Sequence, residues 1–307
     1  MTKTYPFSVL FALLFLIAAL AVSGCASGDP GEPAPERFDA DRAFADLEAQ
    51  VEIGPRPSGS PENRELVELL VSRLEDAGAK DVAVQRPWRN VVATIPGTEE
   101  GTIVVGAHHD TKDIPGLLGA NDGASGVAVV LELARVLVAE GPVDGPSISI
   151  ALFDAEEARG DRDFEEDGTR GSRQYVELAE EGGGQGAPPL DGIESMVLFD
   201  LVGDCELEIP REAASDEALY DEFAAAAREV SGTDSSEPFE GGAETIGDDH
   251  IPFLAAGVPA VDLIDFTYGS DERPGPYWHT LEDTLDKVCP ESLDAVGEPA
   301  VRVLGGS

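Results

Sequence analysis

The sequence predicts an α/β fold: a central, mostly parallel (mixed) sheet flanked by helices on both faces. Three observations lead there. Short apolar or β-branched runs alternate with stretches of helical periodicity along the chain, the pattern of strands joined by crossover helices. Hydrophobic residues make up 42% of the 307, enough for a sizeable core. Glycine-rich stretches at 182–187 and 232–243 separate the elements as surface loops, and no internal repeat is present.

In chain order, residues 41–51 space Phe44, Leu47 and Val51 at helical intervals. Residues 61–77 make a clearer helix, with Leu66, Leu69, Leu70 and Leu74 on one side. Ser60 can cap it, Pro61 suits its first turn and Gly78 follows its end. Strands are predicted at 82–86, 90–95 and 102–107, then a helix at 123–139, a strand at 147–154 and a helix from near Ser172. A strand at 194–201, a helix at 215–230, a short helix at 250–256, a strand at 259–264 and a last helix at 290–304 complete the order.

Ahead of these elements, Met1-Thr2-Lys3 and an apolar run from Phe7 to Val22 lead into Val22-Ser23-Gly24-Cys25, the spacing of a bacterial lipoprotein signal. The run is short for a spanning helix, which needs roughly 20 residues. An uncleaved anchor is the alternative. On the favoured reading residues 1–24 are a signal peptide and Cys25 carries acyl chains, holding an exported protein to the membrane of the cell envelope. Residues 25–37, rich in Pro, Gly and Ala, then form a flexible tether, and 38–307 form one domain, expected to be a monomer.

Acidic residues number 61 against 20 basic, for a net charge of −41, and only four lysines are present. Nucleic acid is therefore excluded as a partner, because phosphate binding needs clustered Lys and Arg. The acids are scattered instead of gathered in a tail, which suits a surface adapted to high salt. Beyond Cys25 the cysteines are Cys205 and Cys289, and the sequence leaves open whether they pair.

The four histidines stand out because each falls at a predicted strand end or loop edge, where α/β sheets place their sites. They are His108 and His109 before Asp110, His250 after Asp248-Asp249, and His279 after Trp278. Three acidic clusters occupy similar positions: Asn121-Asp122-Gly123, Asp154-Ala155-Glu156-Glu157 and Phe199-Asp200. Carboxylates there are costly unless paired or bound to metal, and histidines with carboxylates form a nitrogen and oxygen set that suits zinc. Glu156 and Glu157, as neighbours at a strand end, should point to opposite sides, so that one binds metal and the other stays free as a general base.

These residues resemble the zinc aminopeptidases and animal-type glutaminyl-peptide cyclotransferases, which share a zinc exopeptidase fold. The resemblance runs in order from about Gly54 to Leu293 through His-x-Asp, Asn-Asp-Gly-Ala-Ser-Gly, Phe-Asp-x-Glu-Glu, Leu-x-Asp, Asp-His-x-Pro-Phe and Trp-His-Thr. It implies that Asp122, Glu157 and His279 bind zinc, that Glu156 is the general acid/base, and that Asp110 orients His108. His108 and Asp200 would complete a second metal site in a two-zinc aminopeptidase, with Asp122 bridging, whereas the cyclases keep both residues with one zinc.

Three departures from the aminopeptidase pattern favour the cyclase branch. Thirteen residues, 158–170, separate Glu157 from Gly171-Ser172 where aminopeptidases have a short link. Asp248 stands where they commonly carry serine and would share a catalytic hydrogen-bond network with Glu156 and Asp200. Trp278 precedes the ligand histidine and would line the substrate pocket. Against these, the insertion lacks the cyclases' tryptophan, Gly247 replaces a residue with a side chain, and His109 replaces a tyrosine. The resemblance thus implies an enzyme acting on the amino termini of peptides or proteins, converting glutamine to pyroglutamate. A two-zinc aminopeptidase is the alternative, and a metal-retaining binding lipoprotein without turnover the third.

Overall fold

The structure is a computed structural model that describes residues 1–2, 37–242, 245–270 and 272–306. Cys25, the signal and almost all of the tether lie outside the described residues. Among the described residues no helix is long and apolar enough to cross a membrane.

The elements follow the predicted order: α1 (Ala40–Ile53), α2 (Pro61–Ala77), β1 (Lys80–Val84), β2 (Val91–Ile95), β3 (Thr102–His108), α3 (Ala124–Glu140) and β4 (Ser147–Phe153). Then come α4 (Phe164–Asp167), α5 (Arg170–Glu180), β5 (Ile193–Asp200), α6 (Glu217–Ser231), α7 (Ile251–Ala255), β6 (Ala260–Ile264) and α8 (Pro290–Gly305). Ser60 caps α2 by accepting from the Asn63 amide, and Gly78 ends it in the left-handed conformation, as its sequence dictates. The strand expected at 82–86 lies at 80–84, and α4 was not foreseen.

The six strands form one sheet in the order β1-β2-β4-β3-β5-β6. The four strands β4, β3, β5 and β6 run parallel, while β2 pairs antiparallel with both β4 and β1, so the sheet is mixed. Alternation along each parallel strand sends residues to two cores. Val105, Ile150, Leu152, Val197 and Phe199 join the core under α1, α2, α3, α6 and α8. Val104, Phe153, Met196 and Leu198 face α5 and α7 on the other side, with Tyr175 and Phe253 packed on Phe153.

Register brings the carboxyl ends of the parallel strands level: His108 pairs with Phe153 and Asp200 with Ile264. This is the edge at which open α/β sheets bind ligands. A disulfide joins Cys205, beyond β5, to Cys289 at the start of α8, answering what the sequence left open.

Candidate active site

Strand ends deliver two of the site's side chains, the turn after β4 two more and a helix start a fifth. His108 closes β3, Asp200 closes β5, and the turn after β4 carries Glu156 and Glu157, while Asp122 precedes α3. Two glycines permit this closeness. A Cβ on Gly126 would collide with the Phe199 carbonyl, so only glycine lets α3 lie this close to β5; Gly123, at φ 91°, would strike the Asp110 carbonyl. Ala155 and Leu201, next to the catalytic edge, and His279 itself hold left-handed φ of 61°, 51° and 53°. Such non-glycine backbones persist only where the surroundings enforce them, and they gather at functional sites.

Asp122 is the hinge of the arrangement. Its Oδ1 lies 3.2 Å from His108 Nε2, which is also 3.2 Å from Asp200 Oδ1. Its Oδ2 lies 3.4 Å from His279 Nε2, which in turn sits 2.9 Å from Glu157 Oε1. Two donor sets result, His108–Asp122–Asp200 and Asp122–Glu157–His279, each with its ligand atoms within 4.8 Å of one another. The donors fit zinc: they are imidazole nitrogens and carboxylate oxygens at the edge of a cleft, and Asp122 Oδ2 is buried without a hydrogen-bond partner. Although burial favours a neutral ring, Asp200, Asp110 and Asp122 raise His108 well above its ordinary pKa.

Several expectations are sharpened. Glu156 and Glu157 lie beyond the end of β4 and both face the cleft, so strand alternation does not separate them. What separates them is company: Glu157 meets His279 and Lys112, whereas Glu156 belongs to neither donor set. Burial, reinforced by Glu157, Asp248 and Asp249 against the pull of His108, pushes the Glu156 carboxyl well above the usual range. Asp248 is pushed up in the same way, by burial and then by Asp200 and Asp249, and its Oδ2 has no hydrogen-bond partner. Asp110 holds His108 through its backbone carbonyl, 3.1 Å from Nδ1, while its carboxylate accepts from the Glu156 amide at 3.0 Å.

The cleft has a volume of about 390 Å³. Glu156, Asp200 and Asp248 line it on one side, and Ile246, Ile264, Phe266 and Trp278 give it an apolar wall. Trp278 stacks on His279 with ring centroids 3.7 Å apart and meets Phe266 edge-on at 5.2 Å. The insertion reaches this wall: Phe164 fills the space that a side chain at Gly247 would occupy, its ring 3.3 Å from where a Cβ would stand. His109 is buried, its Nε2 3.2 Å from the Arg89 carbonyl, and belongs to neither donor set.

Sequence reasoning missed three supports. Lys112 Nζ lies 3.3 Å from Glu157 Oε2. Asp283, four residues past His279, accepts the backbone amides of Asn121 at 2.7 Å and Asp122 at 3.1 Å, tying the two ligand loops together. Arg56, fully buried, donates to the Leu118 and Gly119 carbonyls and braces the loop before Asp122. Lys112 and Asp283 each lie four residues past a histidine of the donor sets, the only signal for them, and Arg56 carried none.

Comparison with known proteins agrees with this geometry. The profile of peptidase family M28 matches residues 90–304. A glutaminyl-peptide cyclotransferase of Drosophila melanogaster is 32% identical over 66% of this chain and 60% of its own length. Aminopeptidase YwaD of Bacillus subtilis (strain 168) is 31% identical over 64% of this chain and 39% of its own. The chain thus spans less than two thirds of the length of these relatives. Among solved structures, an Acidobacteriales bacterium glutaminyl cyclase superposes with a TM-score of 0.76 at 30% identity, over 90% of this chain and 97% of that one. A Zn-dependent exopeptidase from Parabacteroides distasonis ATCC 8503 gives 0.74 at 25% identity, over 89% and 99%. With its fold, its donor residues and the match over most of its length in agreement, the chain belongs to peptidase family M28.

Proposed function

We propose that this chain is a zinc-dependent glutaminyl-peptide cyclotransferase, converting an amino-terminal glutamine to pyroglutamate with release of ammonia. The observation that carries the reading is the placement of Glu156. It is buried in the cleft beside Asp248, outside both donor sets, and faces a wall that includes Trp278. Glutaminyl cyclases among the solved structures, 30% and 28% identical, support it.

Zinc held by Asp122, Glu157 and His279 would supply a Lewis acid for the glutamine side-chain carbonyl. Glu156 accepts a proton from the α-amine as its nitrogen attacks the side-chain amide carbon. The same carboxyl returns that proton to the departing amide nitrogen, so ammonia leaves as the lactam closes. Trp278 and Phe266 pack the methylenes of the glutamine and keep water from the amide, which would otherwise be hydrolysed. Burial, with Glu157, Asp248 and Asp249 close by, raises the proton affinity of Glu156, so it holds the proton taken from the amine until ammonia departs.

The second donor set, His108–Asp122–Asp200, favours one alternative, a two-zinc aminopeptidase in which Glu156 activates water against the first peptide bond. Zinc-loaded protein given a Gln-initiated and a Leu-initiated peptide separates the two. Mass spectrometry should show ammonia loss from the first peptide and an intact second one, with about one zinc per chain by elemental analysis. Removal of the leucine, with two zincs per chain, would overturn the cyclase. Export and anchoring at the cell envelope through Cys25 belong to the same proposal, on the strength of Val22-Ser23-Gly24-Cys25. Fatty-acid labelling that survives Cys25→Ser would refute the anchor.

A further inference from the structure

In a chain with 61 acidic and 20 basic residues, cations are scarce enough that their placement is informative. Three guanidiniums converge on one carboxylate at the rim of the cleft. Asp167 takes Arg159 Nε at 3.0 Å, Arg162 Nη1 at 3.1 Å and Arg170 Nη1 at 2.8 Å. Asp167 alone takes all three, and with five acids to three arginines in residues 158–170 the feature is a fixed cluster of guanidiniums and not a net positive patch. Four other acids lie on the same segment, Asp161, Asp163, Glu165 and Glu166, and among the described residues none forms an ion pair with these guanidiniums. Asp163 is engaged elsewhere, accepting from the Glu165 amide to cap α4.

What the cluster offers a ligand is the outer edges of its guanidiniums. Arg162 lines the reaction cleft, and its side chain is 61% exposed, whereas Asp167 is only 8% exposed. Arg159, 56% exposed, and Arg170 line an adjoining depression of about 410 Å³, which Asp110 and Asp113 line as well, so Arg162 in the reaction cleft is the more open of the guanidiniums. Glu157 and Ala158 border both hollows. The other cation of the cleft, Lys112, is only 15% exposed and faces Glu157 at 3.3 Å. The heads of Arg159 and Arg162 are thus held in place by a buried acid while their outer edges stay open, and a fixed guanidinium fork is suited to a carboxylate. Arg162 lines the same cleft as Glu156, and an extended peptide advances about 3.4 Å per residue, so with the amino-terminal residue at Glu156 the residues that follow it are the ones the cleft can bring to Arg162.

We propose that Arg162, with Arg159 beside it, forms a subsite for a substrate carboxylate just downstream of the amino-terminal residue, so that acidic peptides are preferred; the direction of the peptide rests on the cyclase reading. The field of the whole chain argues the opposite way, since a net charge of −41 repels acidic peptides. A preference for them therefore reports the local arginines. The carboxylate can come from an acidic side chain or from the end of a very short peptide.

The test uses full-length, zinc-loaded Glu156→Gln protein, titrated calorimetrically with Gln-Glu-Glu-Phe-amide, Gln-Gln-Gln-Phe-amide and Gln-Gln-Gln-Phe with a free carboxyl end. The acidic amide should bind about fivefold tighter than the neutral amide, as for an exposed charge pair, and the ratio should shrink towards one in molar salt. Arg162→Gln should abolish the preference and Arg162→Lys should restore part of it. Tighter binding of the free-acid peptide alone would assign the subsite to a terminal carboxylate. Equal or weaker binding of both acidic peptides, or a preference that survives Arg162→Gln, overturns the proposal. Turnover of the neutral amide by the unmutated enzyme is measured in parallel. Its absence would count against the cyclase while leaving the binding ratio readable.

Discussion

Two buried triads in this molecule each set a histidine against two carboxylates, with opposite designs. His108 faces Asp122 and Asp200, and His250 faces Glu212 and Asp262. His108 turns one nitrogen, Nε2, towards both of its carboxylates at 3.2 Å, so three donor atoms converge at the cleft. His250 divides its nitrogens, with Nε2 3.4 Å from Glu212 and Nδ1 3.4 Å from Asp262, inside a region that solvent does not reach. Convergent lone pairs can share a cation; divergent ones can only be bridged by the ring between them. Residue type therefore nominates a metal site, and direction decides it.

The largest expected effect tests the convergent region. Glu156→Gln should retain zinc and lose turnover by at least ~100-fold, the lower end for an acid/base group, read as kcat beside elemental analysis. Glu157→Gln should instead lower zinc content, because it removes a donor of the Asp122–Glu157–His279 set. Near-normal kcat in zinc-loaded Glu156→Gln protein would refute the assigned role.

The divergent triad should fail differently. His250→Ala leaves Glu212 and Asp262 buried without the ring between them and opens a cavity, and should cost about 3 kcal/mol in denaturant unfolding. Zinc per folded chain should not change. A loss of zinc with unchanged stability would erase the distinction between the triads.

How far the sequence could separate the two triads follows from this. His108, Asp122, Glu157, Asp200 and His279 were legible because each sits at a strand end or beside a glycine turn, in an order that matched a known family. Glu212 and Asp262 carried no such mark: Asp262 lies inside β6 and reads as one polar residue in a strand. Asp283 and Arg56 act on backbone atoms of the Asp122 loop, a contact that no side-chain pattern encodes. A mostly parallel sheet was legible from the alternation of strands and helices, but strand order was not, and the antiparallel β2 depends on long-range pairing with β4. The insertion was visible as extra length, yet its filling of the space beside Gly247 with Phe164 needed coordinates.

A smaller effect links burial to pH. Burial pushes Asp249 up to about 7 and Asp265 up to about 6. An acid whose folded-state pKa is raised favours the folded form while protonated. Its contribution is complete below the unfolded value of about 4 and is lost as pH rises through 6 to 7. The melting temperature of zinc-free protein should accordingly fall between pH 5 and pH 8, and Asp249→Asn should flatten the slope. A rise over that interval would contradict the sign.

The smallest effect belongs to the surface. With a net charge of −41, raising salt from low to molar concentration should raise the melting temperature by a few degrees, through screening of like charges. The buried triads should contribute little to that change, so His250→Ala should show the same salt increment as the parent.

The Cys205–Cys289 bond has a consequence for how the protein meets proteases. It spans 84 residues and encloses α6, Asp248, α7, β6 and His279 in one covalent ring. Within that ring, Ser231–Asp234 is exposed. A single cut there opens the ring without releasing a fragment, and the segment carrying Asp248 and His279 stays attached to the strand that ends at Asp200. Nicked protein should therefore migrate as one chain on a non-reducing gel and as two after reduction.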